Sequence, residues 1–437
     1  MKIKLNLYKT AIVTLIVITI FSMIDSYRSR HYTDNEKEIE NINIAGVENP
    51  EVKEPIGVKV CEYIDILHED IQTPGLNDDI QENIGYQNNK VGLYIYAEVH
   101  EFSAFAEKMV NANGGDWGYV LIPYNVKDYD ETRWGELFQI LKTRHLIPII
   151  QLWDLDLEEN KKEEQIKDSA DFLNSLQWPI KNRYISVYNE PNDAKFWKGN
   201  VNPEEYAEVL EDTINTFKAL NKDYFMLNGA FNSSARTNGD YLDEQTFLVR
   251  MNNQVPGIFK RLDGWASHPY PQPNFSGSPN GRGRDSIRAY EWELDILRKQ
   301  FSVDIENLPV FITETGWAHK ESDAYSNGNS VDYSLDQYKV ADYFVYAFEN
   351  VWLPDDRVVA VTPFTIWYEP PFDHFSWITK NHNTYPQYEA IKNMKKVEGK
   401  PPVVDYIKTK ILDCKPGIVP KDKEVEIDLN DGIDTIN

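Results

Sequence analysis

From residue 91 onward, short apolar runs alternate with longer stretches whose apolar positions recur every three or four residues. The first pattern predicts strands buried on both faces, the second amphipathic helices. Residues 91–99 read as a strand and 101–113 as a helix, with Phe102, Phe105, Ala106 and Met109 on one face. A second strand covers 117–123. Asp130 then caps a helix whose apolar face is Trp134, Leu137, Phe138 and Leu141 and whose last turn is basic (Lys142, Arg144, His145). Strand three is 146–153, followed by a charged helix near 162–176, and strand four is 183–188. Asn202 and Pro203 stand at the cap and first turn of the next helix. Its face carries Tyr206, Val209, Leu210, Thr213 and Phe217. Strand five (224–231), a helix near 243–252, strand six (262–267), a helix over 285–300 and strand seven (308–313) follow. Ser334 is expected to cap a helix bearing Tyr338, Ala341, Val345 and Phe348; strand eight (358–366) and a helix over 386–394 close the series.

Strands alternating with helices imply an α/β fold with a parallel sheet, and eight such units imply a closed (β/α)8 TIM barrel. The competing architecture, a doubly wound open sheet, calls for a glycine-rich turn after strand one; Glu98-Val99-His100 stands there instead. The loops after strands six and seven, 271–284 and 318–331, are long and rich in Gly, Ser, Asn and Pro. In a barrel they lie at the C-terminal face, where a site is built.

The ends of the chain differ from this pattern. Residues 1–30 carry Lys2, Lys4 and Lys9 before an uncharged stretch, 11–24, with no small-x-small cleavage pattern after it. This predicts an N-terminal signal-anchor, or alternatively a cleaved signal peptide, with the bulk of the protein outside the cytoplasm. Residues 31–55 form an acidic linker, 56–394 the (β/α)8 domain, and 395–437 a polar C-terminal tail. The formal net charge of −25 excludes a phosphate-tracking surface, so nucleic acid is not expected as a partner, and the membrane is reached through the N-terminal segment alone. The two cysteines, Cys61 and Cys414, lack metal-ligand spacing and flank the barrel, which makes a disulfide between them conceivable in an oxidising compartment. The histidines show no metal-binding pattern, so neither metal nor cofactor is expected.

Two stretches carry the chemistry. Tyr184-Ile185-Ser186-Val187-Tyr188-Asn189-Glu190-Pro191-Asn192 delivers a carboxylate at the end of strand four. Leu308-Pro309-Val310-Phe311-Ile312-Thr313-Glu314-Thr315-Gly316-Trp317 does the same at strand seven. Two carboxylates at the mouths of core strands are what glycoside hydrolysis requires: one to protonate the leaving oxygen, the other to attack or stabilise the sugar cation.

Asn-Glu-Pro after strand four with a glutamate after strand seven resembles the retaining glycoside hydrolases of clan A, such as families 5 and 39, over residues 91–394. The resemblance implies a β-glycosidase acting on an extracellular polysaccharide or oligosaccharide through a covalent glycosyl-enzyme. Glu190 would be the acid/base, with a raised pKa, and Glu314 the ionised nucleophile. Asn189 would bind the sugar 2-hydroxyl, His268 would line the pocket and Tyr270 would bond Glu314. Trp317 and Trp367 are the favoured sugar platforms, with Trp153, Trp197 and Trp377 held in reserve; Glu369 and Asp154 also end strands. The chain departs from the clan at strand two, which reads Tyr119-Val120-Leu121-Ile122-Pro123-Tyr124 with no arginine, so either another donor supports Glu314 or the subfamily is divergent. A non-catalytic carbohydrate-binding barrel and a transglycosylase with the same two glutamates remain alternatives.

Overall fold

The computed structural model describes residues 59–61, 84–321, 335–404 and 414–416. The anchor, the acidic linker and most of the tail expected from the sequence lie outside the described residues. So does Ser334. Among the described residues no helix is long and apolar enough to cross a membrane. The chain divides into two compact units, residues 67–408 and the two terminal segments 1–66 with 409–437.

The described part of the terminal unit is an antiparallel ribbon of Lys59–Cys61 and Cys414–Pro416, for which the backbone alone is described. Its register sets Cys61 opposite Cys414.

The described residues of the larger unit form eight strands: β1 (Gly92–Tyr94), β2 (Gly118–Asn125), β3 (Leu146–Trp153), β4 (Arg183–Val187), β5 (Tyr224–Asn228), β6 (Trp265–Ser267), β7 (Val310–Ile312) and β8 (Val358–Val361). β1 to β5 form one parallel ladder in chain order, and β6 to β8 a second. Isolated parallel bridges link the ladders at both edges, Leu227 with Gly264 and Asn232 with His268 at one and Val91 with Val361 at the other. Helices α1 (Glu101–Val110), α2 (Glu131–Thr143), α3 (Glu159–Ser175), α4 (Pro203–Leu220), α5 (Glu244–Gln254), α6 (Ala289–Phe301), α7 (Gln337–Ala347) and α8 (Pro386–Asn393) follow the strands in turn.

Period-two alternation divides the strands between two buried layers. Tyr119 and Leu121 of β2, Ile147 and Ile149 of β3, Tyr184 of β4 and Phe311 of β7 pack together in one cluster. The residues between them, such as Val120, Ile122, Ile150 and Ile185, pack in the other with the helices' apolar faces. Both layers are dry, which is why the strands read as unbroken apolar runs.

Local signals set several boundaries. Asp130 accepts from Arg133 N, and Asn202 from Glu205 N, at the two predicted caps. The helix expected over 101–113 stops at Val110, because Asn111 turns its side chain to Arg144 O and Gly118 N at 3.0 and 2.8 Å. The helix after β6 begins at Ala289 rather than 285. That after β7 is capped by Asp336, which accepts from Tyr338 N and Lys339 N at 3.0 and 2.9 Å, not by Ser334.

Candidate active site

The loop after β4 is held in an unusual shape. Tyr188 and Glu190 adopt left-handed backbone angles, with φ of 71° and 35°. Such angles cost non-glycine residues on the order of 1–3 kcal/mol and persist only where surroundings enforce them. The enforcement is visible. Glu190 N donates to Ala230 O at 2.9 Å. Asn192 is fully buried and staples this loop to the one after β5, giving Nδ2 to Asn232 O and Leu242 O and accepting from Asn232 N. The Tyr206 hydroxyl, from α4, donates to Val187 O at 3.0 Å and accepts from Gly229 N at 2.7 Å. A Cβ on Gly229 would come within 2.6 Å of Val187 O and 2.8 Å of Tyr188 O, so only glycine allows this approach.

Glu314 follows β7 and faces the same space. One imidazole lies between the two glutamates. His268 Nδ1 is 3.1 Å from Glu190 Oε1, and its Nε2 is 3.8 Å from Glu314 Oε1. A ring and two contacts therefore span the pair, which keeps the carboxylates within the roughly 9.5 Å over which two such groups divide glycoside hydrolysis. Both glutamates retain a small opening to solvent, 9% for Glu190 and 8% for Glu314, while His268 is sealed.

Glu314 gathers further donors. The Tyr270 hydroxyl donates to its Oε2 at 3.1 Å. Gln151, at an inward position of β3, favours the charged form of Glu314 as well and gives Nε2 to Asn189 Oδ1 at 3.0 Å. Gln151 thus stands where the sequence called for a donor in place of the missing arginine. In the sequence it passes as one polar residue in Leu-Ile-Pro-Ile-Ile-Gln-Leu-Trp; its inward parity, in step with Ile147 and Ile149, is the signal that could have found it.

Burial raises the Glu314 carboxyl above its ordinary range; His268 pulls it down, the Glu190 charge pushes it up, and Tyr270 and Gln151 pull it down again. Burial alone would lower His268, but the charges of Glu314 and Glu190 outweigh it and leave the imidazole raised. Hydrogen-bond donors to Glu314 are therefore present, and burial outweighs them. Tyr94, Tyr96 and Tyr270 are held firmly neutral by burial and by the Glu314 charge, among other neighbours.

The structure therefore brings Glu190, Glu314, His268 and Tyr270 into one cluster, with Asn189 tied to it through Gln151. It does not bring Trp317 there. That ring is only 1% exposed, donates Nε1 to Gly277 O at 2.7 Å and packs on Tyr343, Phe344 and Trp352, so neither face is open to a sugar. Trp197 and Trp377 are likewise core residues. Trp367 is half-buried, and Trp153 at the end of β3 is 42% exposed. Asp154 takes ion pairs from Lys127 and Lys198, and Glu369 is exposed. Among the described residues no group of three or more His, Cys, Asp or Glu is placed to hold a metal.

No protein-family model matches the chain, and no curated protein matches it. Among solved structures, a monomeric β-xylosidase from Caulobacter crescentus is similar over 70% of this chain and 68% of its own, at 15% identity and a TM-score of 0.51. An endo-β-1,3-glucanase from Pseudomonas viridiflava (70% and 98% covered, 14% identity, TM-score 0.45) and a β-mannanase from Thermomonospora fusca (70% and 89%, 11% identity, TM-score 0.42) are looser likenesses. The first of these shows a shared fold: parallel strands alternating with helices.

Proposed function

We propose that the chain is a retaining glycoside hydrolase of clan A, built on a closed (β/α)8 barrel whose units run over residues 91–394 and cleaving β-glycosidic bonds of an extracellular polysaccharide. The observation that carries the reading is the pair Glu190 and Glu314 on either side of His268. The bridges at both edges of the two ladders support closure of the barrel. Placement within family 5 or 39, an N-terminal anchor and an extracytoplasmic catalytic domain rest on the sequence.

In this reading Glu190 gives its proton to the glycosidic oxygen while a Glu314 carboxylate oxygen attacks the anomeric carbon. The bond to the leaving group breaks with its electron pair on that oxygen. Water then attacks the glycosyl-enzyme, losing its proton to Glu190 as Glu314 departs as carboxylate. Both acids favour the charged form of His268, which lies between them and in that form offsets their repulsion. Tyr270 and Gln151 donate to the form of Glu314 that reacts. Asn189, oriented by Gln151, is left to meet the sugar 2-hydroxyl.

The test is a hydrolysis screen over β-glucan, mannan, xylan, galactan and bacterial exopolysaccharides, with the anomer of the released sugar followed by proton NMR. Retention is expected. Glu314→Gln should lower turnover by about 10⁴-fold or more, on the order expected when a nucleophile is lost, with the fold intact by circular dichroism. Undiminished hydrolysis by that variant rules the assignment out. A Glu314 carboxyl raised by burial is also what a retired, sugar-binding site would show. Azide rescue of Glu314→Gly separates the two, because a binder has no reaction to rescue.

A further inference from the structure

A second pair of acids lies behind His268, on the outer face of β6. Alternation along the strand sets the sides. Trp265 packs in the layer shared with the helices and Ala266 in the inner one. Ser267 therefore faces outward, and His268, which carries the register on by bridging Asn232, faces inward. Glu293, in the second turn of α6, meets the outward side. Its Oε2 accepts from Trp265 Nε1 at 2.7 Å, and Ser267 also favours its charged form. Glu244, at the start of α5, feels the Glu293 charge in turn. Glu244, Glu293, Ser267 and His268 are all sealed from solvent. A carboxylate so far from water needs a cation, or it takes up a proton. Two cations act on Glu293, His268 and Arg284. Arg284 is committed elsewhere: Nη1 pairs with Asp243 Oδ2, Nη2 donates to Ala235 O at 3.0 Å and Nε to Ser233 O at 2.8 Å. The dependence of Glu293 on His268 is mutual, because Glu293 stands with Glu314 and Glu190 among the charges that raise the imidazole.

We propose that Glu293 is a positioning residue for the reaction: from behind β6 its carboxylate keeps the His268 imidazole protonated while Glu190 gives up its proton. The inference rests on the hydrolase reading above and deepens it. As the glycosidic oxygen takes the proton, negative charge grows on Glu190, whose Oε1 is 3.1 Å from His268 Nδ1. A charged imidazole stabilises that charge as it forms, and a neutral one does so less. On its inner side His268 faces Glu190 and Glu314, with the Tyr270 ring beside it. Neither acid supplies a lasting counter-charge. Glu190 carries its proton when substrate is attacked, and Glu314 is an ester in the glycosyl-enzyme. Glu293 bonds to neither substrate nor intermediate, so its charge persists through both steps. Burial brings Glu293 up to about 7. Its charge therefore appears over the range in which an ordinary histidine would lose its proton.

The test reads the imidazole and the reaction separately. Protein labelled with nitrogen-15 histidine is titrated by NMR, the His268 signal being assigned by its loss in His268→Asn. Glu293→Gln should lower the His268 midpoint by about one pH unit, the scale on which a nearby opposite charge acts. For kcat/KM on a 4-nitrophenyl β-glycoside, the ratio of wild-type to Glu293→Gln should grow by about tenfold between pH 5, where Glu293 carries its proton, and pH 8, where it does not. Glu293→Asp keeps a carboxylate and should restore both readings toward wild-type. A His268 midpoint unmoved in Glu293→Gln overturns the proposal. So does a rate ratio that is the same at every pH, as lost packing alone would give, or a loss in Glu293→Asp equal to that in Glu293→Gln. Each of these outcomes, with aryl glycosides still turned over, leaves the hydrolase reading standing. If no aryl glycoside is turned over and azide rescues nothing, the hydrolase reading itself falls and this one with it.

Discussion

Glu314 sits in a balance that single substitutions can tip. Its carboxyl is raised by burial and held back by His268, Tyr270 and Gln151. If it must be ionised to attack, kcat/KM should climb as pH rises through the raised pKa and level off above it, so the acid limb lies higher than an ordinary glutamate would place it. Removing a donor to the charged form raises the pKa further, which moves that limb upward. Tyr270→Phe is expected to shift the limb to higher pH and to lower the plateau by about 10- to 100-fold, the value of a hydrogen bond to a charged group. Gln151→Leu should act in the same direction. A pH–rate profile of the Tyr270→Phe variant with an unmoved acid limb would show that the hydroxyl does not tune Glu314.

The elements behind the site hold charges of their own. Glu244 opens α5 and Glu293 lies in α6; both are fully buried. Of their four carboxyl oxygens one has a donor, Glu293 Oε2, which accepts from Trp265 Nε1 at 2.7 Å. Burial pushes Glu293 up to about 7, and burial with the Glu293 charge pushes Glu244 up as well. A carboxyl whose folded pKa exceeds its unfolded value binds more protons when folded. Its contribution to stability is therefore greatest below the unfolded pKa and declines as pH rises through about 4.5 to 7. Over that window Glu293 should cost the fold roughly 3 kcal/mol, since each tenfold difference in proton affinity is worth about 1.4 kcal/mol. Glu293→Gln keeps an acceptor for the Trp265 indole and removes the titration. Urea midpoints measured at pH 5 and pH 8 should converge for this variant relative to wild-type, and parallel losses in the two proteins would refute the account. The strands were legible because each is a dry apolar run, and the helices because Asp130 and Asn202 declare their starts. What escaped was direction. Trp317 stands three residues after Glu314, yet nothing in Thr-Gly-Trp says that the ring turns outward onto Phe344. Gln151 and Asn192 escaped for a related reason: each works through a partner distant in sequence, Glu314 and the loop after β5.

For the molecule as a whole, the open question is how the chain's two ends are secured. Residues far apart in sequence meet in the terminal ribbon, whose three-residue strands are too short to stand on backbone bonds alone. The register pairs Cys61 with Cys414. Directly opposed residues of antiparallel strands have Cα atoms about 4.5–5.5 Å apart, inside the roughly 4.4–6.8 Å that a disulfide spans. These are the only cysteines in the chain, so no other intramolecular pairing competes. In an oxidising compartment a covalent link at this point closes a loop that includes every strand and helix of the larger unit, and long loops lose the most unfolded-state entropy when closed. Protein folded under oxidising conditions and then denatured without reductant is therefore expected to show no free thiol, and reduction to release both. A count of two free thiols before reduction would mean that the ribbon holds its ends without the bond. The same measurement bears on where the protein works, because such a link persists outside the cytoplasm and is lost within it.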